Sequence, residues 1–239
     1  KVPLSLQSGG WTIKTLSEWA EIEASLQLRH DVFHLEHHGR RLETGLDVDD
    51  VDLHCDHVGV FDAERRLRAS YRLTATPFSR EFYAARCFEL DAFLETPGIK
   101  IELGRACVAP DHRNGIVLHL LWRGIAAYAH AIGARQLVGS ASVRTTDMGR
   151  ARAIHEWLGL QRFRTERYSV RVRPEARALD GTSASELGVL PPLFASYLKA
   201  GAKIAGEPAR DPFLGSVDFF AVLDLDAMSA RFQRMYGVR

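Results

Sequence analysis

Cysteine is scarce. The 239 residues include three, Cys55, Cys87 and Cys107, none in a CxxC spacing, which suggests neither a disulfide framework nor a zinc ribbon and fits a reducing compartment. Net charge is nearly absent too. Lys plus Arg number 31 against 30 Asp plus Glu, so no overall field points to nucleic acid. The longest apolar stretch, 115–134, is broken by His119, Arg123 and His130, and so cannot be a transmembrane helix of about 20 apolar residues. The opening residues hold no signal-peptide apolar core. A cytoplasmic protein is expected, with contact at the periphery of the inner membrane left open. Repeats, low-complexity tracts and the GxSxG, P-loop and metalloprotease signatures are missing as well.

What is present describes a folded chain. At 46% hydrophobic and 26% charged, it is far from the composition of disorder. Its length fits one large domain, 1–239, with an insertion at 174–216. Charge is uneven locally. The segment 42–64 carries eight acidic residues and no Lys or Arg, whereas 144–173 carries eight arginines against Asp147, Glu156 and Glu166. The first should attract a cation and the second an anion, since the planar guanidinium fork binds two oxygens at once; each run is equally read as a solvated face.

Periodicity sets the element order. A strand at 11–15 precedes a helix start of S/T-x-x-E form, Thr15-Leu16-Ser17-Glu18, with helix continuing, broken or not, to His38. The runs 57–61 and 67–74 form a hairpin around the turn 62–66, and 99–108 is a strand ended by Pro110. A helix is expected over 115–131, a strand over 136–141, and a helix capped by Thr146 or Asp147 and stopped by Gly159. Strands at 161–172 and 217–225 and a helix at 226–236 complete the order, with one helix at 193–205 in the insertion.

That α/β order resembles the GNAT acyltransferase superfamily, a mixed twisted sheet flanked by helices, here with the insertion between the last two strands. Motifs sharpen the likeness. Leu28-Arg29-His30-Asp31-Val32-Phe33, Asp49-Asp50-Val51-Asp52, Arg72-Leu73-Thr74 and Glu102-Leu103-Gly104-Arg105 resemble a series in acyl-homoserine-lactone synthases. Leu190-Pro191-Pro192-Leu193, Tyr197-Leu198-Lys199-Ala200-Gly201-Ala202, Asp211-Pro212-Phe213 and the strand from Asp218 to Leu225 resemble the bacterial hemolysin-like acyltransferases, which include ornithine N-acyltransferases. No strongly amphipathic cationic segment supports the lysin that the label suggests.

The resemblance implies an enzyme that moves a long, 3-hydroxylated or plain acyl chain from acyl carrier protein to the amine of an amino acid, with ornithine first. The donor is an acyl-phosphopantetheine, less readily acyl-CoA, and no resident cofactor or metal is implied. Glu102 is then the candidate general base, directly or through water, with His57 as a competitor and Arg105 paired to the acidic loop. Glu102 and Arg105 stand three apart, so they face opposite sides of a strand unless a bulge intervenes. Arg29, Phe33 and Glu36, at i, i+4 and i+7, would share one helix face that closes over the substrates with the D-x-x-D loop, and Arg72 is a further substrate-binding candidate. Asp49 and Asp52 either bind a cationic acceptor or pair Arg29, Arg72 and Arg105.

For the donor, backbone of Cys107, Val108 and Ala109 would cradle the pantetheine arm and face the oxyanion. Arg113, Asn114, Gly115 and Ile116 open the next helix and would meet its phosphate; His112 replaces the Gln or Arg common at the head of that loop, which favours a carrier-borne arm over coenzyme A. The carrier would dock on the arginines of 144–173. Leu193, Phe194, Tyr197 and Leu198 of the insertion either wall an acyl tunnel or pack on the core. His30, His34 and His38 recur every four residues, but three turns spread them over about 12 Å, too far for one ion to take all three, which leaves a pair with one outside ligand. The competing functions are a lactone synthase using S-adenosylmethionine and a noncatalytic module that binds acyl chains or the carrier.

Overall fold

The computed structural model describes residues 2–179 and 186–236; residues 180–185 of the expected insertion lie outside it. In chain order the elements are β1 (Ser5–Ser8), β2 (Trp11–Thr15), α1 (Trp19–His30), β3 (Asp56–Phe61), β4 (Leu67–Ala75), β5 (Phe88–Glu89), α2 (Asp91–Leu94), β6 (Ile99–Val108) and α3 (Ile116–Ala131). There follow β7 (Ala134–Val143), α4 (Met148–Leu160), β8 (Arg164–Thr165), β9 (Arg171–Val172), α5 (Pro192–Ala200), β10 (Lys203–Ala205), β11 (Ala209–Asp211), β12 (Ser216–Asp224) and α6 (Ala230–Tyr236). The chain separates into two compact units, one mainly of Lys1–Glu81 and Ile101–Ala134, the other of Phe82–Lys100 and Arg135–Met235.

In the first unit β1, β2, β3, β4 and β6 lie side by side, each antiparallel to the next. Strand alternation sorts the side chains onto two faces. Ile13, Val58, Val60 and Tyr71 share the face under α3, where Gly124 permits contact: a Cβ there would stand 2.7 Å from both Ile13 and Val58. His57, Ser70, Arg72 and Thr74 point the other way, toward α1, whose Ser25 hydroxyl bonds that of Ser70 at 2.9 Å.

In the second unit β12 runs antiparallel to β7 and β10, and β10 is parallel to β8. Consecutive residues of β12 fill separate cores: Phe220 packs with Phe88 and Phe93, Phe219 with Phe194 of α5. The insertion helix therefore packs on the core.

Several expected boundaries are corrected. Thr15 closes β2 and caps nothing; α1 starts at Trp19 behind Glu18. Gly159 lies within α4, which runs on to Leu160, and Arg162, at φ +58°, makes the turn. The expected strand 161–172 is two two-residue strands, β8 and β9, because they pair with different partners, β10 and β5. The helix expected over 193–205 ends at Ala200, where Gly201 turns left-handed at φ +112°, and 203–205 forms β10. The last helix starts at Ala230 after a 3-10 turn, Leu225–Ala227. Among the described residues no helix is long and apolar enough to cross a membrane.

Candidate active site

The α1-facing side of the first unit carries a buried cluster of three arginines and three aspartates. Arg29 lies in the last turn of α1 and is 1% exposed. Its Nη1 donates to Asp52 Oδ1 at 2.6 Å, its Nη2 to Asp52 Oδ2 at 3.0 Å, and its Nε and Nη2 to Asp47 Oδ1. Arg72 Nη1, from β4, donates to Asp49 Oδ1 at 2.5 Å and to Asp52 Oδ1 at 3.1 Å. Arg105, from β6, donates to Asp49 Oδ2 at 2.8 Å and to Asp47 Oδ1 at 3.3 Å. Burial alone would raise the carboxyls of Asp47 and Asp52, but the charge and hydrogen bonds of Arg29 outweigh it and hold both below the ordinary range. Asp49 and Asp52 thus grip guanidinium groups and each other's turn: Asp49 Oδ1 accepts from Val51 N at 3.0 Å, and Asp52 Oδ2 from Asp49 N at 2.9 Å, a capping box around the 3-10 turn Asp50–Leu53.

Arg105 reaches this face because β6 carries a bulge. Arg72 pairs with Gly104 and Ser70 with Cys107, so Arg105 and Ala106 together oppose Tyr71. Arg105 takes φ +51°, an unusual conformation for a side-chain-bearing residue. The extra residue brings Arg105 to the same face as Glu102, which pairs with Thr74 and is 4% exposed. This is the bulge that the three-residue spacing left open as the exception to opposite faces.

His57, opposite Arg72 in the ladder, places Nε2 3.3 Å from both Asp52 Oδ1 and Cys55 Sγ. Asp52, Cys55 and His57 have the donor types of a metal site, with ligand atoms within 4.8 Å of one another. Their chemistry does not suit a cation: Asp52 Oδ1 already accepts from two guanidinium groups, and burial pushes the Cys55 thiol up to about 12. His30 and His34 are likewise engaged. Nδ1 of His30 lies 2.9 Å from Asp31 Oδ1 and its Nε2 accepts from Leu42 N, while His34 Nε2 lies 2.8 Å from Asp47 Oδ2.

At the far end of β6, Ala109 N donates to Arg68 O at 2.8 Å. Antiparallel alternation turns Cys107 the same way and Val108 the other, leaving the Val108 N–H directed away from β4. Of the three residues expected to cradle the donor, Val108 therefore directs its amide to the side of β6 opposite β4. Its carbonyl accepts from Arg113 Nε at 3.1 Å, and the Arg113 fork holds Glu36 through two 2.6 Å contacts. Asn114 Oδ1 accepts from Ile116 N at 3.1 Å, and Gly115 caps α3 at φ +87° with the space around it open. Glycine serves the left-handed turn here and leaves the helix start uncovered.

Arg29, Phe33 and Glu36 do not share one face. After His30 the helix widens into a π-helical turn, Asp31–Glu36, and the larger number of residues per turn breaks the i, i+4, i+7 register. Arg29 turns to the aspartates, Phe33 lies half-buried with its ring 6.1 Å from that of His37, and Glu36 reaches Arg113. Sequence reasoning missed Asp47 and His34 as members of the network. The signal for Asp47 was its place in the acidic run; the D-x-x-D spacing drew attention two residues late.

Comparison with known proteins follows the same lines. The acetyltransferase (GNAT) domain profile matches residues 28–123. An L-ornithine N(alpha)-acyltransferase of Rhodobacter capsulatus is 30% identical over 96% of this chain and 95% of its own length. Another of that name, from Rhizobium meliloti, is 31% identical over 91% of this chain and 81% of its own. Among solved structures, FeeM, an N-acyl amino acid synthase from uncultured soil microbes, superposes with TM-score 0.54 at 10% identity, covering 98% of this chain and 99% of that one. The acyl-homoserine lactone synthase BjaI with MTA gives 0.51 at 17%, covering 92% and 83%. These structures share the GNAT-like fold.

Proposed function

We propose, for a chain that belongs to the L-ornithine N(alpha)-acyltransferase family of GNAT-fold N-acyltransferases, that it transfers a long acyl chain, 3-hydroxylated or plain, from acyl carrier protein to the α-amine of ornithine. The observation that carries the chemistry is the β6 bulge. It sets the Glu102 carboxylate and Arg105 on one face while Val108 turns its N–H outward from β4. Base and oxyanion donor then come from one strand, which fixes their spacing.

In the reaction the α-ammonium of ornithine loses a proton to Glu102, directly or through one water. The nitrogen lone pair forms the C–N bond at the thioester carbonyl carbon, and the negative charge that develops on oxygen is met by the Val108 N–H. The oxyanion collapses, the C–S bond breaks, and the second proton shed by the acylated nitrogen goes to the departing pantetheine sulfur, while Glu102 returns its own proton to water. The products are an N-acylornithine and the free carrier thiol. Arg29, Arg72 and Arg105 act as positioning residues, holding the loop of Asp47, Asp49 and Asp52 beside the acceptor. The phosphate of the arm would lie at the uncovered start of α3, near Asn114, Gly115 and Ile116.

The test is thiol release with product mass, using purified protein, a 3-hydroxyacyl carrier protein and L-ornithine, other amino acids or S-adenosylmethionine. Ornithine-dependent thiol release with an N-acylornithine mass is the expected result. A lactone product would replace this reading with the synthase, and binding of the carrier without turnover would replace it with a binding module.

A further inference from the structure

We infer that the carrier protein docks at the β3–β4 hairpin tip, an acidic amphipathic helix of the carrier lying in the groove beneath Arg65 and Arg66; this rests on the carrier-borne donor proposed above. The groove, about 950 Å3, runs between α1 and the outer strands β1 and β2 and ends at Ala109 and Pro110. Its position joins it to the donor site. Arg68, one of its lining residues, accepts through its carbonyl the Ala109 N–H at the end of β6, so a partner seated here abuts the strand end proposed to hold the pantetheine arm.

The lining fits one kind of partner. Ala20, Ala24 and Leu28 of α1 supply an apolar floor. Above it the turn is locked by Asp62, whose Oδ1 accepts from Arg66 N at 2.8 Å and whose carbonyl accepts from Arg65 N at 3.0 Å. Both arginines are exposed and form no side-chain ion pair among the described residues. The other two cations of the lining are spent internally: Lys14 on Glu21 at 2.6 Å and Arg68 on Asp62 at 2.6 Å. An apolar floor under two free guanidinium groups matches a helix that presents apolar and carboxylate side chains together. A flat bilayer could not reach that floor. In the arginine-rich segment 144–173, Arg150 is bonded to the carbonyls of Leu187 and Val189, Arg167 to Asp224 and Arg173 to the Ala85 carbonyl, while Arg144, Arg162, Arg164 and Arg171 are exposed and make this segment the control surface.

Charge reversal separates docking from chemistry. R65E/R66E and, as a control, R164E/R171E are compared with the unaltered protein using acyl carrier protein and a carrier-free acyl-pantetheine, with ornithine as acceptor. For R65E/R66E the KM for acyl carrier protein should rise about tenfold or more while kcat/KM for acyl-pantetheine stays within about twofold. Added salt should raise the carrier KM of the unaltered protein and leave that of R65E/R66E nearly unchanged. An unchanged carrier KM, an equal loss with both donors, or a rise confined to R164E/R171E would overturn the docking site. Use of acyl-pantetheine or acyl-CoA but not acyl carrier protein by the unaltered protein would overturn the donor itself and the docking with it, a failure visible before any variant is made.

Discussion

Replacing Asp52 with Asn removes one charge from the buried cluster and almost none of its volume. Three guanidinium groups, of Arg29, Arg72 and Arg105, would then face two carboxylates. Asp52 now accepts from Arg29 at 2.6 and 3.0 Å and from Arg72 at 3.1 Å, in side chains that are each under a tenth exposed. Removing one partner of a buried ion pair costs about 3–5 kcal/mol, because the other charge is left uncompensated. With a urea slope of about 1–3 kcal/mol/M, the unfolding midpoint should fall by about 1 M or more. Urea titration read by hydrogen exchange at β4 and β6 amides measures the unit that holds the cluster. The loss also has a pH signature. The folded-state pKa of Asp52 is depressed, so the unfolded chain binds more protons between the two values and the stabilisation is present above the ordinary carboxylate range. It is lost as pH falls through the depressed value, so the gap between D52N and the parent protein should narrow below about pH 4. A midpoint shift under about 0.3 M at neutral pH would refute the reasoning, since it would mean that water already screens the cluster.

Glu102→Gln should lower kcat about 100- to 10,000-fold, as expected for a lost general base; a loss of stability with unaltered kcat would make Glu102 a structural ion partner. Gly124→Ala places a methyl 2.7 Å from Ile13 and Val58, and overpacking of that kind should cost about 1–3 kcal/mol, seen as a lowered thermal midpoint. Burial raises the thiols of Cys55, Cys87 and Cys107 to about 12, so the native protein at pH 8 should give no rapid reaction with a thiol reagent and three equivalents in denaturant. One fast native thiol would contradict the burial. Glu36 and Arg113 are more than a third exposed, so a double-mutant cycle on stability should return a coupling of no more than about 1 kcal/mol.

Long, regular elements were legible in the sequence because their period is set locally. The hairpin of β3 and β4, the amphipathic α3 and the Asp147 cap of α4, where Oδ1 accepts from Arg150 N at 3.1 Å, all follow from short-range pattern. Short strands were not legible. β5 and β9 are two residues each and exist only by pairing across more than 80 positions. In the candidate site, residue types were readable and directions were not. Arg29, Asp49, Asp52, Arg72 and Arg105 stood out by type and motif, but the bulge that turns Arg105 and the π-helical turn that parts Arg29 from Glu36 depend on contacts remote in sequence. Gly201 could have been weighed more heavily, since it ends α5 by the rule that places glycine just past a helix.

The β6 bulge also sets how this strand tolerates changes in length. Arg105 and Ala106 share the space opposite Tyr71, and Tyr71 lies on the α3 side. Deleting Ala106 would restore simple alternation and set Arg105 directly against Tyr71, carrying a guanidinium into the apolar layer beneath α3. Adding a residue instead would turn Cys107 and everything beyond it over. Conservative exchanges at these positions keep the phase of the strand, whereas a change of one in the residue count reverses it. The chemistry of the site is therefore guarded by the number of residues between Glu102 and Val108 as much as by their identities.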